Sequence, residues 1–244
     1  MADILIIGET CKDIFVYGEC DRLCPEAPAP VFNPIEVLEN PGMAMNVQRN
    51  VVKLGQKCHI YTNPNWKHIT KTRYVHKNTN QMFVRVDTND DKIERCKVEK
   101  ISFEKYKIII ISDYCKGFLT EEDIAYITHN HNCVFLDTKK RLGKWCEKAS
   151  FIKINNYESA KTAHTIPDTV KDKMITTLGS RGCTFKNKIF SVEAVEIKDV
   201  SGAGDTFLAA LAVKYVETEN IIESINFANT CATQVVQKRG VSTV

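Results

Sequence analysis

Four residues of this 244-residue chain could together handle a phosphoryl group in transfer: Gly202, Ala203, Gly204 and Asp205, at the head of an amphipathic run. Small residues let an anion approach the backbone, and the first-turn N–H groups of a helix have no intrahelical partner. With the helix dipole they form a site for negative charge that develops during a reaction. A carboxylate in that first turn can take the proton of an attacking hydroxyl. The same residues also describe an ordinary capped helix, with Ser201 as N-cap and Asp205 favouring the dipole. Taken alone, Gly-Ala-Gly-Asp does not separate the two readings.

Other residues could also do chemistry. Asn155 and Glu158 carry N-cap spacing, which suits a helix start. Asp113 and Lys116 follow a buried apolar run at its carboxyl end, where α/β sheets bind ligands. His129, His131 and Cys133 lack the spacing of common zinc sites and fall between a helix and a strand, so an ordinary structural role is expected. The ten cysteines contain no CxxC pair. Met1 to Gly8 lacks a basic region followed by a long apolar run, so reduced thiols and a cytoplasmic location are expected. No apolar run approaches the roughly 20 residues of a membrane span. The net charge of +3 is spread along the chain without a basic block, so neither membrane nor nucleic acid is an expected partner.

The elements that must position these residues read as follows. Ile4 to Ile7 and Lys107 to Ser112, with its four consecutive isoleucines, are strands covered on both faces. Cys133 to Asp137, Phe151 to Ile154 and Met174 to Leu178 continue the series. Helices are expected over Met43 to Leu54 (closed by Gly55), Leu119 to Asn130, Ala203 to Val216 and Ile221 to Gln237. Strands alternating with helices imply a mainly parallel, doubly wound sheet. Ile14 to Tyr17, Val31 to Val37 and the alternating Met82, Val84 and Val86 read as half-exposed strands of a small β lid. One domain over 1–244 is expected, with lid strands within about 13–37 and 71–87.

Asp199-Val-Ser-Gly-Ala-Gly-Asp-Thr-Phe207 closely resembles the D-x-T-G-A-G-D-x-F signature of the ribokinase-like (PfkB) carbohydrate kinases. Thr177-Leu-Gly179 with Gly182 resembles the family's T-L-G-x-x-G, Asn155 to Glu158 its N-x-x-E, and Phe227 to Ala232 its adenine-bordering helix. Gly8 with Asp13, and Pro41-Gly42 with Asn46, match sugar-holding positions. One branch fits further: Arg22-Leu-Cys-Pro-Glu-Ala-Pro-Ala-Pro-Val31, Lys71-Thr-Arg73, Gln81, Arg85-Val-Asp87 and Ser112-Asp-Tyr-Cys-Lys-Gly117 resemble the heptose 7-phosphate kinase domain of ADP-heptose synthesis.

The resemblance implies a ribokinase-like fold and ATP-dependent transfer to the anomeric hydroxyl of heptose 7-phosphate. Asp205 would be the base and Gly202, Ala203 and Gly204 the anion site. The acceptor would meet Asp13, Gly42, Asn46, Lys71, Arg73, Gln81, Arg85, Asp113 and Lys116. ATP would meet Asn155, Glu158, Thr177, Gly179, Gly182 and Asn229, with Mg2+ held through water by Glu158. A homodimer through the lid strands is also implied. The alternatives are a related kinase for another sugar, sugar phosphate or nucleoside, and a binding protein without turnover. Three departures motivate them. Met43 replaces an expected Gly, Ile154 an expected Pro, and only Thr62 to Ile69 stands where a strand–helix module is usual.

Overall fold

Residues 2–162 and 166–244 are described by a computed structural model. The isoleucine runs form adjacent interior strands of an eight-stranded sheet. Strand β1 (Ile4–Gly8) leads into a lid made of β2 (Thr10–Glu19), β3 (Asn33–Met43), β5 (Thr70–His76) and β6 (Met82–Thr88). Helix α1 (Ala44–Lys53) and β4 (Cys58–Tyr61) interrupt the lid and return the chain to the main sheet. The βα grammar follows, with β7 (Ile108–Asp113), α2 (Glu121–Asn130), β8 (Val134–Thr138), β9 (Phe151–Asn155), α3 (Asn156–Thr162), α4 (Asp168–Lys171) and β10 (Met174–Thr177). A short hairpin, β11 (Cys183–Phe185) and β12 (Lys188–Phe190), precedes helices α5 (Ala203–Thr218) and α6 (Ile221–Val235).

The main sheet runs β12-β11-β10-β9-β8-β7-β1-β4, parallel from β10 to β4 and antiparallel through the hairpin. Alternate residues of the isoleucine strands face opposite ways, which explains their unbroken apolar character. Leu5, Ile7, Ile109 and Ile111 pack with Ile124 and Ile127 of α2. Ile4, Ile6, Ile108 and Ile110 join Val47 of α1, Leu208 and Leu211 of α5 and Ile225 of α6. This is the doubly wound α/β architecture expected from the periodicity. Strand order reverses at β1, so the carboxyl ends of β1 and β7 flank the crevice where such sheets take ligands.

The lid has its own order, β3-β2-β5-β6, with β2 and β5 parallel. Strand β3 runs farther than expected, to Met43, and starts at Asn33 instead of Val31. Met43 caps α1 at φ 59 and ψ −131, a conformation suited to glycine, and such strain costs about 1–3 kcal/mol. Its side chain is 3% exposed and belongs to the core cluster of Ile7, Cys11 and Ile69. Gly55, at φ 87, closes α1 as expected. Among the described residues no helix is long and apolar enough to cross a membrane.

Candidate active site

Asp205 enters the first turn of α5 from Gly202, which stands at φ 80 as the N-cap. Ser201 makes no capping bond; its N–H donates to Asp199 Oδ1 at 2.8 Å, and Gly240 N–H donates to Asp199 Oδ2 at 3.1 Å. Asp199 thus braces the loop against the C-terminal segment. Gly202, at positive φ, and Gly204 let neighbouring side chains approach the loop closely. A Cβ on Gly202 would meet Asn46 Nδ2 at 2.8 Å, and one on Gly204 would meet Lys153 Nζ at 2.9 Å. The loop therefore lies close against Asn46 and the Lys153 ammonium.

The Asp205 carboxylate is buried and accepts two hydrogen bonds, from Asn46 Nδ2 at 2.9 Å and from the Tyr114 hydroxyl at 2.6 Å. Burial raises its pKa above the usual carboxylate range, against the opposing pull of those bonds and of Lys153. Burial, then the charges of Asp205 and Asp137, hold the Tyr114 hydroxyl firmly protonated, which makes it a donor to an ionised base. The other amide oxygen, Asn46 Oδ1, is buried without a hydrogen-bond partner. An acceptor hydroxyl donating there would remove that deficit. Tyr114 itself is held by Glu9, whose carboxylate accepts the N–H groups of Tyr114 and Lys116 at 3.0 and 2.9 Å.

Behind Asp205 a cavity of about 560 Å³ is lined by Tyr114, Asp137, Lys139, Lys153, Asn155, Thr177 and Gly204. Lys153 Nζ lies 2.6 Å from Asp137, and Lys139 Nζ lies 2.6 Å from Glu158 and 3.6 Å from Asp137. Burial disfavours the Asp137 charge, but Lys153 and Lys139 outweigh it and its pKa is lowered. Burial likewise opposes the charge on Lys139, and Asp137 and Glu158 overcome it. Glu158 and Asn155 bond reciprocally, N–H to side-chain oxygen, at 2.8 Å each way. The pair thus forms the expected helix start, with Asn155 also on the cavity lining.

A second, mostly apolar cavity of about 230 Å³ shares Thr177, Gly179, Val200 and Gly204 with the first. It is walled by Val192, Val195, Phe207, Ala232 and Val236, with Gly182 and Asn229 also on its lining. Asn229 Nδ2 is bonded to Phe190 O at 3.0 Å. An apolar slot opening onto a cationic, glycine-floored chamber fits a flat base joined to phosphates.

The residues expected at the acceptor side divide. Asp13 pairs with Arg73 at 2.6 Å, and Gly42 lies so close that a Cβ would meet Asp13 Oδ2 at 2.0 Å. Cys11, beside them, is no nucleophile: burial, then the Asp13 charge, pushes its thiol up to about 12. Lys71 and Lys116 converge on Asp90. Arg85 is exposed and pairs with Asp87 at 2.9 Å, while Gln81 lies exposed in the β5–β6 turn. Asp113 is 1% exposed, its carboxylate bonded to Thr138 Oγ1 and to Lys140 at 2.7 and 2.8 Å. Among the described residues, the hydrogen bonds and ion pairs of Gln81, Arg85 and Asp113 thus go to groups other than Asp205. The ring nitrogens of His131 bond Tyr106 O and the Cys133 backbone. Tyr114, Asp137, Lys139, Lys153 and Asp90 were missed. Tyr114 lay inside the quoted Ser112 to Gly117 segment without being singled out, and Lys139 carried a signal as a lysine just past a buried strand's carboxyl end.

A profile described as pfkB family carbohydrate kinase matches residues 46–244. The chain belongs to that family. It is 30% identical over 98% of its length to the bifunctional protein HldE of Helicobacter acinonychis, covering 64% of that relative. It is 29% identical over 98% of its length to HldE of Nitratiruptor, covering 62% of it. The chain therefore spans less than two thirds of the length of these relatives. Among solved structures, ribokinase from Thermotoga maritima superposes with a TM-score of 0.76 at 19% identity, covering 99% of this chain and 95% of that one. Arabidopsis thaliana ribokinase complexed with ribose and ATP gives 0.72 at 15%, covering 98% and 94%. These likenesses establish a ribokinase-like α/β fold for this carbohydrate kinase.

Proposed function

We propose that this carbohydrate kinase transfers the γ-phosphoryl group of ATP to a phosphorylated sugar, the best candidate being the anomeric hydroxyl of heptose 7-phosphate. One observation carries the catalytic reading: a buried Asp205 carboxylate, held by Asn46 and Tyr114, stands beside a buried acceptor atom without a partner and a cation-lined chamber. The acceptor hydroxyl gives its proton to Asp205 as its oxygen bonds to the γ-phosphorus. The bond from that phosphorus to the β–γ bridging oxygen breaks, and ADP leaves with the electron pair. Lys139, Lys153 and the N–H groups of α5 stabilise the charge. The α5 start provides the anion site at Gly202, Ala203 and Gly204.

Oxygen donors suited to Mg2+ are present, since Asp137 Oδ1 is buried on the chamber lining without a hydrogen-bond partner and Glu158 is tied to that lining through Lys139. Both would hold the hydrated ion through its waters, and the ion would neutralise phosphate charge. The apolar slot suits adenine. A cytoplasmic location suits the ten free thiols.

The heptose reading is supported by the HldE relatives and by the Lys71, Lys116 and Arg73 cations. A panel of acceptors with ATP tests it: phosphorylation of heptose 7-phosphate well above ribose or nucleosides is expected. Transfer to ribose alone would remove the heptose assignment. No transfer to any acceptor would favour a binding protein.

The lid also suits pairing with a second copy. Val37, Val16, Tyr74 and Val84 form one row across its four strands, with Val37 and Val84 at 55% and 50% exposure. Covering such a face is a common remedy for exposed strands. A sedimentation mass of two chains is expected; a mass of one chain at micromolar concentration would remove the dimer.

A further inference from the structure

Lys71, on β5, and Lys116, after β7, come from distant parts of the chain and share one carboxylate. Asp90 Oδ2 lies 2.5 Å from Lys116 Nζ, and Asp90 Oδ1 lies 3.8 Å from Lys71 Nζ. The second distance is too long for a hydrogen bond, and Oδ1 is buried without a hydrogen-bond partner. Lys71 is 8% exposed and also lies 5.8 Å from the centre of the Tyr114 ring, whose hydroxyl bonds the base. The two ammonium groups therefore stand on the acceptor side of Tyr114, while Lys139 stands 5.5 Å from the same ring and faces the phosphate chamber.

The position of Asp90 is fixed by an anchored turn. Asp90 lies in a turn closed by Lys92 N–H to Asn89 O at 3.0 Å. The short Thr62 to Ile69 connection pins that turn from both sides. Asn89 Nδ2 donates to His68 O at 2.9 Å, and Asn65 Nδ2 donates to Lys92 O at 2.7 Å. The Thr62 to Ile69 connection thus anchors the turn that holds an acidic side chain against the two lysines.

We propose that Asp90 sets the charge this kinase accepts in its sugar, by competing with an acceptor's phosphoryl group for Lys71 and Lys116. This rests on the reading that the acceptor lies beside Tyr114 and Asp205. A dianionic group entering there must displace the carboxylate or meet a lysine pair that it has already half neutralised. A neutral sugar meets no such competition. Asp90 is therefore a specificity-determining residue rather than a simple surface ion-pair partner.

The test compares kcat/KM for a phosphorylated acceptor and its unphosphorylated parent, heptose 7-phosphate against heptose, in wild type and Asp90→Asn. The substitution should raise the ratio about tenfold, equivalent to about 1.4 kcal/mol. Lys116→Gln combined with it should remove most of the gain, and the gain should shrink as salt rises. An unchanged or lower ratio overturns the proposal. If wild type phosphorylates neither acceptor, the acceptor reading fails, and a second arm still examines Asp90. With a non-hydrolysable ATP analogue saturating the nucleotide site, inorganic phosphate should bind Asp90→Asn about tenfold more tightly than wild type. Equal affinity there also overturns the proposal. Thermal melting of the near-isosteric variant, with Asp90→Ser as a second variant, separates these outcomes from loss of fold.

Discussion

Asp205→Asn is expected to lower kcat by about 10³-fold, within the range that a positioned general base supplies, while leaving ATP affinity close to wild type. Only the proton acceptor is lost, because the apolar slot and the Lys139–Lys153 chamber remain. The amide oxygen introduced can still accept from Asn46, and its NH2 can donate to the Tyr114 oxygen. Stability should move the other way from activity. Burial raises the pKa of Asp205 in the folded chain. The stability linked to the group is then fully present at low pH and is lost as pH rises through the raised value. At neutral pH the wild type carries that penalty and the variant does not, so its melting temperature should be equal or higher. The same raised pKa places the acidic limb of wild-type kcat/KM above the ordinary carboxylate value of about 3.9. Single-turnover rates, nucleotide titration and melting curves together check this. A variant that keeps more than a tenth of wild-type kcat would place the base elsewhere.

The parts of the fold and site that were legible in the sequence are those written over a few adjacent residues. Ile108 to Ile111 could only be a strand covered on both faces, and α2 and α1 with α5 cover it. Asn155 and Glu158 sit three apart and bond each other. Strand β3 runs past the expected end at Val37 to Met43, and it contains Pro34 and Pro41. Both are tolerated because β3 is the lid's edge strand, with one side free of ladder bonds. The three-residue strands β11 and β12 are too short to show a period.

The site was legible for Asp205 and its glycines, and much less so for what surrounds them. Tyr114 lies 91 residues from Asp205 along the chain, and no spacing rule joins them. Asp90 reaches the lysines through backbone anchors at His68 and Lys92, which composition cannot reveal. Lys153 lies inside the strand read over Phe151 to Ile154 and was not singled out. In the fold it is a buried cation whose pairing with Asp137 appears only once β8 and β9 lie side by side.

That pairing gives the second large effect: Lys153→Met should lower unfolding free energy by about 3–5 kcal/mol, the usual result of stripping one partner from a buried ion pair. Lys153 is 4% and Asp137 5% exposed, so water cannot replace the lost contact. Lys139 remains, but at 3.6 Å from Asp137 and committed to Glu158 at 2.6 Å. Replacing both charges together, as Asp137→Asn with Lys153→Met, should recover part of the loss, because no uncompensated charge is then buried. The surviving catalysis should shift as well. Lys153 favours the ionised form of Asp205, so its removal raises the base's pKa further and moves the acidic limb of kcat/KM to higher pH. Urea unfolding of the two variants reads the first effect and a pH profile the second. A Lys153→Met chain within about 0.5 kcal/mol of wild type would mean that the pair is solvated, as surface pairs are. The chamber behind Asp205 would then be open to water and lack the dry, fixed charges on which electrostatic stabilisation of the transferred phosphoryl group depends.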